Sequence, residues 1–268
     1  MGKVVAIANQ KGGVGKTTTA VNLAASLAVA EQRTLLLDGD PQGNASSGMG
    51  LTRDSLTKTV YDVLLGATPL EEVIHTAVQF KHLDVAPATA DLAAAEVEIV
   101  DQPEREHAMR VAVETVRDRY DYILIDCPPS LGLITVNMLA AADSLLIPVQ
   151  CEYYALEGLS QLLNTVHLVQ RNLNETLAVE GVLLTMYDAR LNLSRQVAAD
   201  AREYFGNQVF ETVIPRNIRL AEAPSFGKPI ILYDVASIGA QSYMSVAKEL
   251  ITRNTAAPAP AGPAFVHP

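Results

Sequence analysis

The chain has 268 residues, 49% of them hydrophobic, and a formal net charge of −10. The apolar content excludes a wholly disordered chain, and the acidic balance argues against constitutive binding of nucleic acid by the whole surface. No segment reaches the roughly 20 uninterrupted apolar residues of a membrane span, the first residues lack a signal-peptide layout, and there are only two cysteines, so we expect a cytoplasmic protein with no membrane association.

Short apolar runs alternate along the chain with longer segments of helical periodicity. Residues 17–30 and 156–173 place apolar side chains on one helical face. This alternation predicts an α/β fold, a mainly parallel twisted sheet with helices on both faces, in one domain over 1–253. The Ala- and Pro-rich residues 254–268 predict a disordered tail. The predicted strands are 4–8, 34–37, 83–86, 122–125, 145–149, 182–186 and 212–214.

The first predicted strand leads into a glycine-rich loop, KGGVGKTT at residues 11–18, and a helix follows. In this setting backbone N–H groups wrap phosphates, and glycines permit the close approach and the positive φ angles that this requires. We expect Lys16 to reach the β- and γ-phosphates and Thr17 to complete a Mg²⁺ shell. A glycine-rich turn without a ligand is the alternative. The predicted ATP contacts here are Lys11, Gly12, Gly13, Val14, Gly15, Lys16, Thr17 and Thr18.

The loop departs from the common phosphate-loop pattern at its front. Gln10 stands where that pattern has a glycine, and Lys11 adds a second lysine. One lysine already serves the bound phosphates. Lys11 is therefore either a surface residue or a group that reaches a nucleotide held by another subunit.

Acidic residues follow two further predicted strands. Asp38 and Asp40 come directly after strand 34–37, and Asp126 ends strand 122–125. A carboxylate at such a point can orient an attacking water or hold Mg²⁺ through water. We expect Asp38 and Asp126 to support the magnesium together with Thr17, although a capped turn also explains the first aspartate pair.

The loop KGGVGKTT resembles the deviant Walker A loop of the ParA/MinD group of P-loop ATPases. The resemblance implies a three-layer P-loop NTPase fold and an ATP-sandwich homodimer in which Lys11 acts across the interface. It also implies that Asp40 positions the attacking water, so that the catalytic residues are Lys11, Lys16 and Asp40.

Further segments, up to about residue 253, resemble the chromosomal ParA/Soj branch of that group. The resemblance implies a weak Mg²⁺-dependent ATPase that partitions chromosomes or plasmids and associates with the nucleoid. Its ATP-bound dimer would bind double-stranded DNA without sequence preference until a ParB-type centromere-binding protein stimulates hydrolysis. The matching segments are DPQGNAS (40–46), DCPPSLGLIT (126–135), PVQCEYYALEGLSQLL (148–163), LLTMYDARLNLSRQV (183–197) and PRNIRLAEAPSFGKPI (215–230).

Within these segments, Arg190 and Arg219 match positions that contact DNA in the family, and we expect both in loop-like segments. Residues 184–230 carry six basic and five acidic side chains, so a local basic face is compatible with an acidic chain. Each arginine is otherwise a plain surface or interface charge. Pro215 and Asn217 resemble the segment that cradles adenine, with a structural turn as the alternative.

Three other functions compete with this interpretation. A MinD-like membrane ATPase needs a basic amphipathic C-terminal helix, whereas residues 255–268 contain four prolines and no Lys or Arg. A nitrogenase-reductase-like protein needs cysteines at an exposed interface, and Cys127 follows a strand directly and precedes two prolines, so we expect it to be buried. An orphan ParA-like regulator of replication stays open.

Overall fold

The computed structural model describes residues 1–152 and 157–255 of the chain. Within these residues one sheet of six strands forms, and every neighbouring pair is parallel. The strands are β1 Lys3–Ile7, β2 Thr34–Asp38, β3 Leu83–Ala86, β4 Tyr122–Asp126, β5 Ser144–Gln150 and β6 Ala178–Thr185.

Helices of very different length connect and cover the strands. The α-helices of the described residues are α1 Lys16–Val29, α2 Asn44–Gly48, α3 Val60–Leu64, α4 Leu92–Glu98, α5 Ala108–Glu114, α6 Leu133–Ala141, α7 Glu157–Asn172, α8 Asn192–Phe205, α9 Ile218–Glu222, α10 Ile230–Tyr233 and α11 Ile238–Thr255. Short 3-10 turns lie at Arg53–Ser55, Leu70–Glu72, Arg105–His107, Arg117–Arg119, Gly206–Gln208 and Ala223–Phe226.

The strand order is β3-β2-β4-β1-β5-β6. Ile7 and Asp38 both lie opposite Asp126 in the register of β4, so the loops that follow β1, β2 and β4 leave the same edge of the sheet. In open parallel sheets ligands bind outside the carboxyl ends of the strands. The topology therefore brings the glycine-rich loop and the aspartates together.

Both faces of the sheet are covered by apolar side chains. One core includes Leu23 and Leu27 of α1 with Tyr243 of α11, and the other includes Met138 of α6 and Leu162 of α7. The apolar, non-alternating strands are what burial on both faces requires. The predicted three-layer α/β arrangement is confirmed.

The seventh predicted strand, 212–214, does not form. The backbone N–H groups of Glu211 and Thr212 donate to the Glu249 carboxylate of α11 at 2.8 and 3.1 Å. The neighbouring bonds Phe210 N–Val182 O and Ile214 N–Leu184 O do reach β6. A side chain thus takes the donors that a strand ladder would use, and only isolated bridges remain.

The ends of several elements also differ from the predictions. Strand β6 ends at Thr185 because Met186 adopts a left-handed conformation with φ 51°. Two residues assigned to the tail, Asn254 and Thr255, belong to α11, where Asn254 Nδ2 donates to Glu180 Oε1 at 2.9 Å. The remaining tail, 256–268, and the predicted start of the helix at Leu156 lie outside the described residues.

Candidate functional site

The glycine-rich loop joins β1 to the amino end of α1, which begins at Lys16. Gly13 and Gly15 have φ of 75° and 90°, in the region that favours glycine. Apart from the glycine itself and its chain neighbours, no atom of the described residues lies within 4 Å of the point where a Cβ on Gly12 or Gly13 would stand. The loop therefore presents an open backbone cradle at the positive end of a 14-residue helix, as a phosphate site requires.

Two buried polar side chains hold this loop in place. Asn9 Nδ2 donates to the Pro148 carbonyl of β5 at 2.7 Å, and its Oδ1 accepts from Lys11 N at 3.0 Å. Thr185 Oγ1, at the end of β6, donates to the Val14 carbonyl at 2.8 Å. Spacing in the sequence does not single out either residue, since each is one polar group beside an apolar strand.

Lys16 lies inside the cradle and is only 6% exposed. Its Nζ donates to the Lys11 carbonyl at 3.2 Å. Burial lowers the pKa of Lys16, while the charges of Asp126 and Asp40 act in the opposite direction. A buried cation with one neutral partner is well placed to receive phosphate oxygens.

The second lysine of the loop differs from Lys16 in its surroundings. The Lys11 side chain is half-exposed, and its ammonium has no hydrogen-bond or ion-pair partner among residues 1–152 and 157–255. The structure thus leaves Lys11 available to a group from outside the subunit.

Asp38 ends β2 and is fully buried. Its oxygens accept from Ser46 N at 2.8 Å, Ser46 Oγ at 2.6 Å and Asp40 N at 3.2 Å. Burial raises the pKa of Asp38 to about 6, against the effect of these hydrogen bonds. Ser46 Oγ also accepts from Ala88 N at 3.0 Å, so Ser46, which sequence reasoning missed, ties the loop after β2 to the end of β3.

Asp126 ends the adjacent strand and is also fully buried. In the described part of the chain neither of its carboxylate oxygens has a partner that meets strict hydrogen-bond geometry, although the Thr17 hydroxyl lies close enough to act on the carboxylate. Burial, and then the charge of Asp38, raise the pKa of Asp126, whereas the Thr17 hydroxyl and the Lys16 ammonium act in the opposite direction. A buried carboxylate without a well-aligned donor, beside a phosphate cradle, fits a hydrated Mg²⁺, which takes only one or two protein carboxylates.

The loop after β2 places Asp40 near the same edge. Asp40 is 7% exposed, and its Oδ1 accepts from Gln42 N at 2.9 Å. Gly39 N donates to the Asp126 carbonyl at 2.8 Å, and a Cβ on Gly39 would stand 2.8 Å from that oxygen. Only glycine permits this close approach, which keeps Asp40 beside the Asp126 strand. Cys127, the next residue of that chain segment, is buried as expected.

The AAA domain family profile (AAA_31) matches residues 2–179. The chromosome partitioning protein ParA of Myxococcus xanthus is 58% identical over 255 residues, 95% of this chain and 90% of the relative. The sporulation initiation inhibitor protein Soj of Bacillus subtilis is 59% identical over 250 residues, 93% of this chain and 98% of the relative. This chain belongs to the ParA/Soj family.

A solved structure shares the fold of this ParA/Soj family member. Cobyrinic acid a,c-diamide synthase from Mycobacterium smegmatis, with bound ADP and magnesium, superposes with a TM-score of 0.84 at 35% identity, over 96% of each chain. The described residues contain no helix long and apolar enough to cross a membrane.

The two arginines that resemble family DNA contacts are both exposed and both paired. Arg190 donates to both carboxylate oxygens of Asp188, at 2.9 and 2.7 Å, and this guanidinium lowers the pKa of Asp188 to about 2. Arg219 pairs with Glu222 at 3.0 Å and with Asp234 at 3.6 Å. Exposed pairs of this kind are worth little, so phosphates can replace the carboxylates.

The expectation of a loop around Arg219 is wrong, because Arg219 lies in the short helix α9. The helix begins there because the Asn217 side-chain oxygen accepts from Arg219 N at 2.8 Å, an N-cap. This leaves the Asn217 amide NH₂ for any adenine contact. Pro215 lies beside the end of β6 through its bridge to Tyr187.

Proposed function

We propose that this ParA/Soj family protein is a Mg²⁺-dependent ATPase that partitions chromosomes or plasmids. Its ATP-bound homodimer binds double-stranded DNA without sequence preference, and a ParB-type centromere-binding protein releases it by stimulating hydrolysis. The observation that carries the proposal is the buried Asp126 carboxylate, which no donor of the described residues satisfies in strict geometry, at the strand edge from which the glycine cradle also leaves. Structures such as the ADP- and Mg²⁺-bound synthase support the choice of cofactors.

The nucleotide roles are divided among the residues of one sheet edge. The backbone from Gly12 to Thr18 and the Lys16 ammonium hold the phosphates. Mg²⁺, when bound, neutralises phosphate charge, and Thr17, Asp126 and Asp38 support it, Asp38 through its fixed position beside Ser46. Asp40, with one carboxylate oxygen already held by Gln42 N, orients the attacking water.

The dimer depends on Lys11. Its ammonium has no partner in the part of the chain that the structure describes, which supports a contact with the nucleotide of a second subunit, much as an arginine finger acts in other NTPases. Pairing two subunits doubles the arginines on one surface. Because each phosphate contact adds to affinity, DNA binding becomes conditional on ATP.

The remaining assignments follow from the same proposal. Arg190 and Arg219 contact the DNA backbone, which requires charge and no base readout. Pro215 and the Asn217 amide contact adenine. In the cell the protein is cytoplasmic and associated with the nucleoid while ATP is bound.

A DNA-binding assay with and without nucleotide tests the proposal. The wild-type protein should retard unrelated duplexes with Mg²⁺ and a non-hydrolysable ATP analogue, and not with ADP. Lys16→Ala should weaken nucleotide binding by at least about tenfold, since bonds to a charged group are lost, and should abolish DNA binding with it. Lys81→Ala, an exposed lysine at the opposite end of the sheet, is the matched control.

Two outcomes would contradict the proposal. DNA binding that is equal with ADP and with the ATP analogue would remove the nucleotide switch. Binding that survives Lys16→Ala as well as it survives Lys81→Ala would remove the phosphate loop from the mechanism.

A further inference from the structure

The last residue of β6 lies against the phosphate loop. Thr185 is 2% exposed and donates to the Val14 carbonyl, which belongs to a residue that is 1% exposed. A Cβ on Gly15 would stand 3.8 Å from Thr185 Cγ2, so the methyl group also packs against the loop. A buried carbonyl without a partner is costly. The Thr185 hydroxyl therefore fixes the conformation of the loop at Val14.

Directly after Thr185 the chain turns sharply. Met186 has a φ of 51°, which is uncommon for a residue with a side chain. Tyr187 N then donates to the Ile214 carbonyl at 3.0 Å, and Arg216 N donates to the Tyr187 carbonyl at 3.1 Å. Strain of this kind persists only where the surroundings fix the backbone. Here the fixed points are the phosphate loop on one side and the segment before α9 on the other.

The same turn is connected to Arg190 and Arg219, the two arginines proposed to contact DNA, which together are called the arginine surface. Arg190 follows it closely, and its N–H and guanidinium both bind Asp188. Pro215 forms a bridge with Tyr187 of this turn, and Arg219 lies only a few residues after Pro215 in the chain. A continuous path of hydrogen bonds and short chain segments thus runs from Val14 through Thr185 to both arginines.

We infer that Thr185 is a positioning residue that couples the phosphate loop to the arginine surface. This inference rests on the proposed function, since it takes the loop as the ATP site and the arginines as the DNA contacts. A nucleotide that orders Val14 and Gly15 also orders Thr185 and the turn at 186–190. By linkage, DNA bound at the arginines tightens the binding of ATP in the loop.

Two substitutions separate the hydroxyl from the rest of the side chain. Thr185→Val keeps the branched shape and removes the donor, whereas Thr185→Ser keeps the donor and removes the methyl group. Nucleotide affinity and DNA affinity are measured separately, the latter with a saturating non-hydrolysable ATP analogue and Mg²⁺. We expect Thr185→Val to weaken DNA binding about tenfold at saturation and Thr185→Ser to stay within about twofold of wild type.

The inference is overturned if DNA affinity of Thr185→Val at saturation lies within about threefold of wild type, whatever happens to ATP affinity. It is equally overturned if Thr185→Ser loses as much affinity as Thr185→Val, because the hydroxyl is then not the determinant. Hydrogen exchange of the wild-type protein gives a readout that needs no variant. Amides at 186–190 should exchange more slowly with the ATP analogue, and unchanged exchange there contradicts the link.

Failure of the proposed function gives a different pattern from failure of this inference. If the wild-type protein itself shows no ATP-dependent DNA binding, the function is wrong, and the exchange measurement alone decides whether the loop and the turn are coupled. If the wild-type protein switches normally and both Thr185 variants switch as well, only the coupling through Thr185 is wrong.

Discussion

At the scale of single residues, the aspartates at the strand ends set the electrostatics of the candidate nucleotide site. Asp126 has no well-aligned donor in the described chain, and Asp38 lies opposite it in the neighbouring strand. Two buried carboxylates so close repel each other when both are ionised. Since burial raises both pKa values, the folded protein binds protons more tightly than the unfolded chain does.

This arrangement makes the nucleotide-free protein more stable in mild acid. Stability conferred by protonation is complete below the usual pKa of aspartate and is lost as pH rises through the raised values, about 6 for Asp38. We expect Asp126→Asn, in chelator and without nucleotide, to raise Tm at about pH 8 by at least about 2 °C. The gain should shrink at about pH 6, where the neighbouring Asp38 carboxyl is already partly protonated and repels Asp126 less.

Thermal unfolding followed by circular dichroism checks this expectation, with Asp118→Asn as the exposed control. Asp126→Asn should also lose the extra stabilisation that Mg²⁺ gives to the ATP-bound wild type. A lower Tm for Asp126→Asn at both pH values would show that the carboxylate is compensated in the free protein.

At the scale of elements, the strand ends and the short helices around them carry the residues that we propose to bind nucleotide and DNA. Arg219 lies in the first turn of α9, where Asn217 caps the helix, while its guanidinium is held loosely by Glu222 and Asp234. The cap fixes the backbone, and the weak exposed pairs leave the charge free to change partners. This is a suitable design for a phosphate contact that must form and break.

Arg219→Glu tests this surface. We expect DNA affinity with the ATP analogue to fall about tenfold, because attraction to a phosphate becomes repulsion. The slope of log affinity against log salt concentration should become shallower by about one for each lost phosphate contact. ATP affinity should not change. Arg119→Glu makes the same charge change at the amino end of β4. Equal losses from the two substitutions would point to overall charge instead of a contact at Arg219.

Sequence patterns predicted six of the strands and the phosphate loop because these depend on local signals, apolar runs and closely spaced glycines. They failed at residues 212–214, where the remote Glu249 takes the backbone donors. They also missed Ser46, Asn9 and Thr185, single polar residues whose partners lie far away in the sequence, on other strands or in the phosphate loop. Such contacts depend on strand order, which local spacing does not determine.

At the scale of the whole molecule, the exposed loop edge accounts for the proposed dimer. The edge carries Lys11, whose ammonium no described residue binds, an open glycine cradle and, through β6, the turn with Arg190. A second subunit that covers this edge would shield the nucleotide from water and bring two arginine surfaces together. Dimerisation, nucleotide retention and DNA binding then become one event.

A double substitution isolates the role of Lys11 in that event. Asp40→Ala should slow hydrolysis and keep ATP-bound dimers on DNA, which light scattering and dissociation measurements would show. Adding Lys11→Ala should return the protein to monomers and lower DNA affinity at least about tenfold, since half of the phosphate contacts are lost. Nucleotide affinity of the monomer should stay close to that of Asp40→Ala. A stable dimer of the double variant would exclude Lys11 from the interface.

The strand order also has a consequence for synthesis. The central strand β1 is made early, but its neighbours β4 and β5 are made much later, and the Val14 carbonyl gains its partner only when Thr185 of β6 has been added. A growing chain therefore carries the complete phosphate-loop sequence well before Thr185, the residue that fixes the Val14 carbonyl, has been added.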